Sequence, residues 1–414
     1  MEKKRIISSA IIGNIVEYYD FGIYAVFAEI IARLFFPNFD EYTQLIFSFA
    51  IFAVGFFMRP LGGVIFGHLG DQLGRKLALT IAIIGMGIST LCVSFLPSYN
   101  QIGILAPILL TIIRMFQGIC IGGEGAGSAI FVIEHFGYKK VGLIGSIIMA
   151  SSITGTLLAI LVGIGIDYFI TINDFSWRYG FFLGGVMAFV GLFIRRKTSE
   201  TPTFENIKTK RKIAKFPLQK VLREKWQSVL IIGSFAGVAT ASTYMIRGFF
   251  NVYFSEIIGF PKETALYIVS FALLILIIAL PIFGCLADRI GYKKHIYSAM
   301  FVFIIYIFPA FIIINSVHDI RYIFCGVASL SVLIASVVAP YYPFAVKFFN
   351  PELRYSGIAL AWNLGNAFFG GTAPVISIFL VMKMGKIAPA SYLLFVGVIF
   401  ILISFLNRKL LANY

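Results

Sequence analysis

Twelve long apolar runs, parted by short gaps rich in lysine, arginine and glycine, leave this chain few ways to fold. They fall at 6–34, 43–67, 76–96, 102–134, 141–168 and 178–195, then at 227–255, 264–287, 295–315, 321–347, 355–382 and 389–407. About 20 helical residues cross a hydrocarbon layer ~30 Å thick. Backbone groups there find no water, so a run of this kind must close its own hydrogen bonds as a helix. Of 414 residues, 59% are hydrophobic and 13% charged, against roughly 25% charged in a soluble domain. The pattern predicts an all-α integral membrane protein with 12 transmembrane helices.

A net charge of +15 raises the question of nucleic acid, but its placement answers it. If alternate gaps share a side, 25 of the 34 Lys and Arg lie on one side and 6 on the other, while Arg59, Arg114 and Arg247 lie within the runs. That asymmetry is what membrane topology produces, so both termini are expected in the cytoplasm and no nucleic-acid partner is expected. "MEKKR" opens a run too long for a signal peptide, with no A-x-A cleavage site, and reads as a retained first helix. Cys92, Cys120, Cys285 and Cys325 stand singly with no C-x-x-C, and the four histidines show no metal-ligand spacing. No metal and no cofactor are expected. "GGEGAG" (122–127) lacks the G-K-[ST] of a phosphate loop and lies inside an apolar run, so its glycines suit close helix packing instead.

The chain also repeats. "GHLGDQLGRK" (67–76) returns as "GCLADRIGYK" (284–293), with Gly67, Asp71, Gly74 and Lys76 matched by Gly284, Asp288, Gly291 and Lys293 at one shift of 217 residues. A weaker echo joins Lys139 and Gly142 to Arg354 and Gly357. Between the copies lies a charged, proline-punctuated stretch at 196–226. The organisation read from this is a six-helix bundle at 1–195, a basic cytoplasmic linker at 196–226, and a pseudo-symmetric bundle at 227–414. Glycines in the repeat permit a tight turn, and Asp71 and Asp288 can face helix N-termini or pair with Arg75, Lys76, Arg289 or Lys293. Gly67, Asp71, Gly74, Arg75, Lys76, Gly284, Asp288, Gly291 and Lys293 are therefore the expected gating motif, a latch made in one conformation and released in another.

That repeated loop resembles the signature of the major facilitator superfamily. Further stretches resemble its metabolite:proton symporter family, which includes transporters of proline and betaine, 2-oxoglutarate, citrate and shikimate: "GNIVEYYDFGIY" (13–24), "GFFMRPLGGVIFGHLGDQLGRK" (55–76), "RMFQGICIGGEGAGS" (114–128), "RRKTSETPTF" (195–204) and "LRYSGIALAWNLGNAFFGGTAP" (353–374). The resemblance implies the major facilitator fold, a bacterial-type inner membrane and proton-coupled import. The loop "EHFGYKK" (134–140) and Lys347 depart from the family pattern. The chain also ends soon after its last run, so osmosensing through the coiled-coil tail of some betaine transporters is not expected.

The runs themselves contain Glu17, Asp20 and Glu124 beside Arg59, Arg114 and Arg247. A charge at mid-bilayer costs on the order of 3 kcal/mol, so three acids and three bases point to pairing across a polar interior. Glu17 lies about 16 Å into the first run and shares a helical face with Asp20. Two close carboxylates in a low dielectric do not both stay ionised easily unless an arginine neutralises one, which describes a proton carrier. Glu17, Asp20 and Glu124 are the expected proton-coupling groups, with Asp20 favoured, and Arg59 or Arg114 could expel the proton on approach. Asp71 and Glu134 read as latch or cap groups at the cytoplasmic end. Tyr24, Gln117, Tyr244, Trp362, Asn363 and Asn366 are expected to line the substrate path, and Arg247 to meet a substrate carboxylate or Glu256. Tyr18, Tyr19 and Trp362 could box a quaternary ammonium or simply pack. The expected protein is a monomeric secondary transporter, not an enzyme, whose partners are a small carboxylate-bearing metabolite, protons and the lipid bilayer. A proline or glycine-betaine zwitterion heads the candidates. A di- or tricarboxylate, and a transport-inactive membrane sensor of the same fold, are the alternatives.

Overall fold

A computed structural model describes residues 2–137, 140–170, 174–315 and 319–412. Lys139, one side of the weaker repeat, lies outside the described residues. Among those described, 11 helices are long and apolar enough to span a membrane. They are α2 (Glu41–Gln72), α3 (Arg75–Phe95), α4 (Leu105–Phe136), α5 (Val141–Ile170) and α6 (Ser176–Arg196). The rest are α7 (Trp226–Ile258), α8 (Lys262–Ile290), α9 (Tyr292–Ile314), α10 (Ile320–Phe348), α11 (Arg354–Met384) and α12 (Pro389–Leu406). The twelfth run read from the sequence is α1 (Glu2–Val26), set apart in composition by its basic start and by Glu17 and Asp20.

The first run does not form one helix. α1 stops at Val26, and a separate short helix covers Ala28–Phe35. This second piece is amphipathic: Ile31 and Phe35 are buried, while Glu29 and Arg33 are exposed and Arg33 pairs with Asp174 at 2.8 Å. Hydrogen bonds persist across the break at Phe27, whose N–H donates to Ile23 O at 3.1 Å and whose carbonyl accepts from the Ile31 N–H at 3.0 Å. The middle stretch is likewise more ordered than a plain linker. It holds two short helices, Pro202–Thr209 and Pro217–Glu224, each opened by a proline in the first turn.

The chain forms two compact units, Met1–His135 with Ser151–Lys215, and Phe136–Ala150 with Phe216–Tyr414. Inside the first, α3 packs along α6 and α6 along α1; inside the second, α9 packs along α12 and α12 along α7. The same pairings thus recur, as a duplicated six-helix plan requires. Glycines bring particular backbones together. Gly118 and Gly122 of α4 rest on the α2 main chain at Gly55 and at Arg59 to Gly63, Gly155 of α5 rests on α1 at Ile15 and Tyr19, and Gly365 of α11 rests on α7 at Gly233. Small residues at such crossings replace the hydrophobic drive that lipid removes. The two repeat turns each place a glycine in the left-handed region, Gly74 at φ 113° and Gly291 at φ 89°, where a side chain would be strained.

Candidate functional site

Besides the Asp71–Arg75–Glu134 group at the repeat turn, the first unit buries three further ion pairs among the described residues. Glu17 meets Arg59, whose Nη2 donates to Oε1 at 2.9 Å, and the Arg59 guanidinium lies 5.8 Å from the Tyr18 ring centre and 5.6 Å from that of Phe56. One turn on, Asp20 is 0% exposed and is held from three sides. Arg114 Nη1 donates to its Oδ2 at 2.7 Å, while Thr90 Oγ1 at 2.9 Å and Gln117 Nε2 at 3.0 Å donate to its Oδ1. Arg114 in turn sits 4.1 Å over the Tyr24 ring, and Tyr24 donates its hydroxyl to Ser48 O at 3.0 Å. Glu17 and Asp20 therefore share a helix, and each carboxylate has its own arginine. Arg114 Nε, Arg114 Nη2 and Gln117 Oε1 are buried with no hydrogen-bond partner among the described residues.

The third pair differs from expectation. Glu124 finds neither Arg59, Arg114 nor Arg247 but Arg195, in a two-pronged contact of 2.8 Å to Nη1 and 2.6 Å to Nη2. Ser128 Oγ also donates to Glu124 at 2.8 Å, and Arg195 donates to Leu79 O at 2.8 Å and Ser9 O at 3.1 Å. Two parallel N–H···O bonds between planar groups are the strongest and most directional form such a pair takes. Arg195 was missed because it opens the basic run "RRK", which reads as the start of a loop. α6 continues to Arg196, and Arg195 lies on the buried face of Gly184, Ala188, Gly191 and Leu192, a spacing the sequence does display. Thr90 gave less warning, being one hydroxyl in an apolar run. A small cavity bordered by both Glu17 and Glu124, with Gly13, Met86 and Cys120, puts two of the three pairs beside one space.

The two copies of the repeat use their aspartates differently. Asp71 pairs with Arg75 at 3.3 Å, and Arg75 Nε donates to Glu134 at 3.2 Å. Thr201 Oγ1 donates to Glu134 at 2.8 Å, and the Lys76 N–H donates to Glu200 at 3.0 Å, so "SETPTF" closes on the turn at Gly74. Burial raises the Glu200 carboxyl above its ordinary range, against the lowering effect of the Thr201 and Lys76 amides and of Arg75. Asp288 instead accepts from the first amides of α5, Gly142 at 2.7 Å and Leu143 at 2.9 Å, and from Tyr292 Oη at 2.7 Å. A carboxylate there satisfies donors that the helix leaves open and meets the positive end of its dipole. Gly284 fits against Gly142 and Ser146 of the same helix. Lys293 donates to Leu411 O at 2.9 Å, and Lys76 Nζ to Arg196 O at 3.3 Å. Gly67 lies one turn before Asp71 on α2.

In the second unit, Arg247 is half-buried, 5.7 Å from the Tyr244 ring centre, within a stretch of α7 that turns π-helical at Met245–Phe249. Asn363 Nδ2 bonds back to Ala359 O at 2.8 Å. Trp362 packs at a tilt against Tyr341 and Tyr342, with ring centres 4.7 and 5.7 Å away. Tyr18 lies with Arg59, and Tyr19 donates to Gly180 O at 2.8 Å. The aromatic partners of Trp362 are therefore Tyr341 and Tyr342, which the sequence reading did not select.

A duplicated bundle with charge pairs sealed inside it is the architecture of a membrane transporter, and known proteins bear this out. The family model described as Major Facilitator Superfamily matches residues 10–374. The chain belongs to the Major Facilitator Superfamily. The Proline/betaine transporter of Escherichia coli (strain K12) is 32% identical to this facilitator over 412 residues, covering 96% of the chain and 81% of the relative. The Glycine betaine/proline/ectoine/pipecolic acid transporter OusA of Dickeya dadantii is also 32% identical, with the same coverages of 96% and 81%. Among solved structures, the proton:xylose symporter XylE bound to 6-bromo-6-deoxy-D-glucose superposes with a TM-score of 0.74 at 19% identity, covering 99% of this chain and 95% of that one. The human organic anion transporter MFSD10 gives a TM-score of 0.70 at 14% identity, covering 97% and 100%. The fold is that of the superfamily, and this facilitator is a multi-pass membrane protein.

Proposed function

We propose that the protein imports a small carboxylate-bearing zwitterion, of the proline or glycine-betaine type, together with protons. It would work by alternating access between six-helix halves at 1–195 and 227–414, joined by the linker at 196–226, as a monomer in a bacterial inner membrane with both termini cytoplasmic. It needs no cofactor and catalyses no covalent step. The observation that carries this reading is 32% identity to proline/betaine transporters along 96% of the chain. The buried charges support it. Asp20 is the proposed proton carrier, because its charge is what holds Arg114, Thr90 and Gln117 in place. A proton on Asp20 cancels that charge and lets Arg114 swing away, and the return of Arg114 expels the proton, so one bistable contact couples protonation to helix movement. Glu17 and Glu124 are proposed to orient α1, α4 and α6 through Arg59 and Arg195. The retained pairs also speak for transport against a transport-inactive sensor.

A di- or tricarboxylate is the second reading, favoured by the half-buried Arg247 over Tyr244. Uptake into proteoliposomes of labelled proline, glycine betaine, 2-oxoglutarate, citrate and shikimate separates the two. Proline or glycine betaine should accumulate, and a protonophore should remove the accumulation. Uptake confined to the polycarboxylates would overturn the zwitterion, and uptake indifferent to the protonophore would overturn symport.

A further inference from the structure

The second unit holds a cluster of polar groups that its own fold leaves unused. Trp362 Nε1, Tyr341 Oη and both amide atoms of Asn366 are buried with no hydrogen-bond partner among the described residues. Tyr341 and Asn366 are 0% exposed and Trp362 is 4% exposed. A buried indole N–H, phenol and primary amide without partners each forfeit the hydrogen bonds that water would give them, a state native interiors rarely keep. Trp362 and Asn366 are four apart on α11 and so share a face, and the Tyr341 ring lies 4.7 Å from that of Trp362. Trp362 thus lies beside Tyr341 and one helical turn from Asn366.

The backbone at this place is also irregular on both contributing helices. α10 is interrupted at Ala339–Pro340, so Tyr341 and Tyr342 project from the first turn after the break. α11 turns π-helical at Asn366–Gly370, beginning at the orphaned asparagine. Irregular backbone at membrane depth is tolerated where it is buried in protein or lines a cavity, and π-helical turns recur at functional sites. Tyr341 lies about seven residues before α10 ends, and Trp362 about eight after α11 begins. Both therefore sit roughly 10–12 Å from a helix end.

We infer that Tyr341, Trp362 and Asn366 form the substrate subsite of the second unit, and that it takes a zwitterion. The substrate carboxylate accepts from Trp362 Nε1, Asn366 Nδ2 and Tyr341 Oη, and the ammonium lies against the aromatic faces of Tyr342 and Trp362, 5.7 Å apart and inclined by 34°. Every side chain in the set is formally neutral. A neutral site matches a ligand of zero net charge held at both ends, whereas a di- or tricarboxylate would bring negative charge that these residues cannot answer. The assignment rests on the transport reading above and names the residues that would recognise its substrate.

Two arms test it on the full chain in detergent and proteoliposomes. Trp362→Phe keeps a ring but loses the N–H, and Tyr341→Phe loses only the hydroxyl. Each should raise the KM for proline and glycine betaine about tenfold or more, as expected when one hydrogen bond to a charged group is lost. The protein has 3 tryptophans, so Trp177→Phe with Trp226→Phe leaves Trp362 as the sole indole emitter. Its fluorescence should change saturably with proline and glycine betaine and stay unchanged with citrate. Unaltered KM in both transporting variants, or an indole that ignores the zwitterions while transport persists, overturns the subsite. If the wild type transports neither zwitterion, the transport reading fails by itself. The indole arm then still decides, because a zwitterion response supports the subsite and silence overturns it.

Discussion

Asp20→Asn is expected to abolish proton-driven accumulation of substrate by at least about 100-fold while leaving substrate exchange across the membrane measurable. The asparagine is nearly isosteric and still offers an oxygen to Thr90 and Gln117, but it cannot alternate between a charged and a neutral form. Arg114 then loses the partner that holds it at 2.7 Å, and the contact no longer has two states for a proton to choose between. An unpaired buried arginine is itself destabilising by about 3–5 kcal/mol. Exchange of labelled for unlabelled substrate is therefore the necessary second readout, since a collapsed protein would show neither activity. Asp20→Glu, which keeps the titratable group, should retain some accumulation. Undiminished accumulation in Asp20→Asn would remove Asp20 from the coupling.

The largest stability effect should come from Arg195→Leu. It leaves Glu124 in an interior where the pair was 1% and 5% exposed at the side chains, and removing one partner of a buried pair costs about 3–5 kcal/mol. Replacing both charges at once, with Glu124→Gln added, should recover much of the loss, because no uncompensated ion remains. Arg195→Lys should fall between, as an ammonium keeps the charge but cannot make the two-pronged contact. Thermal unfolding in detergent reads all three. A double variant no more stable than Arg195→Leu alone would show that the contacts of Arg195 to Leu79 and Ser9, not the charge pair, carry the effect.

These effects show what the sequence could and could not tell. Hydropathy alone disclosed the spanning helices, because lipid allows a chain so few solutions. The repeated "GHLGDQLGRK" disclosed the turns, since only glycine sits easily at the φ values of Gly74 and Gly291. Spacing placed Glu17 and Asp20 on one helical face and suggested that arginines would answer them. It could not tell which arginine, because the choice is made by helices brought together over long separations. Asp20 to Arg114 spans 94 residues and Glu124 to Arg195 spans 71. Nor could it show that Asp71 would pair with Arg75 while its repeat partner Asp288 would cap a helix. The Tyr341–Trp362–Asn366 cluster was half visible through Trp362 and Asn366. Tyr341 stayed hidden among 20 tyrosines, since only the break at Pro340 and the loss of hydrogen-bond partners single it out.

The most direct test of proton-coupled zwitterion import follows the proton itself. Proteoliposomes loaded with a pH-sensitive dye, with no gradient imposed, are given proline or glycine betaine from outside while lumenal pH is recorded. Import with a proton should acidify the lumen as substrate enters, and Asp20→Asn should abolish the acidification. Entry of labelled substrate with no change of lumenal pH in the wild type would contradict it.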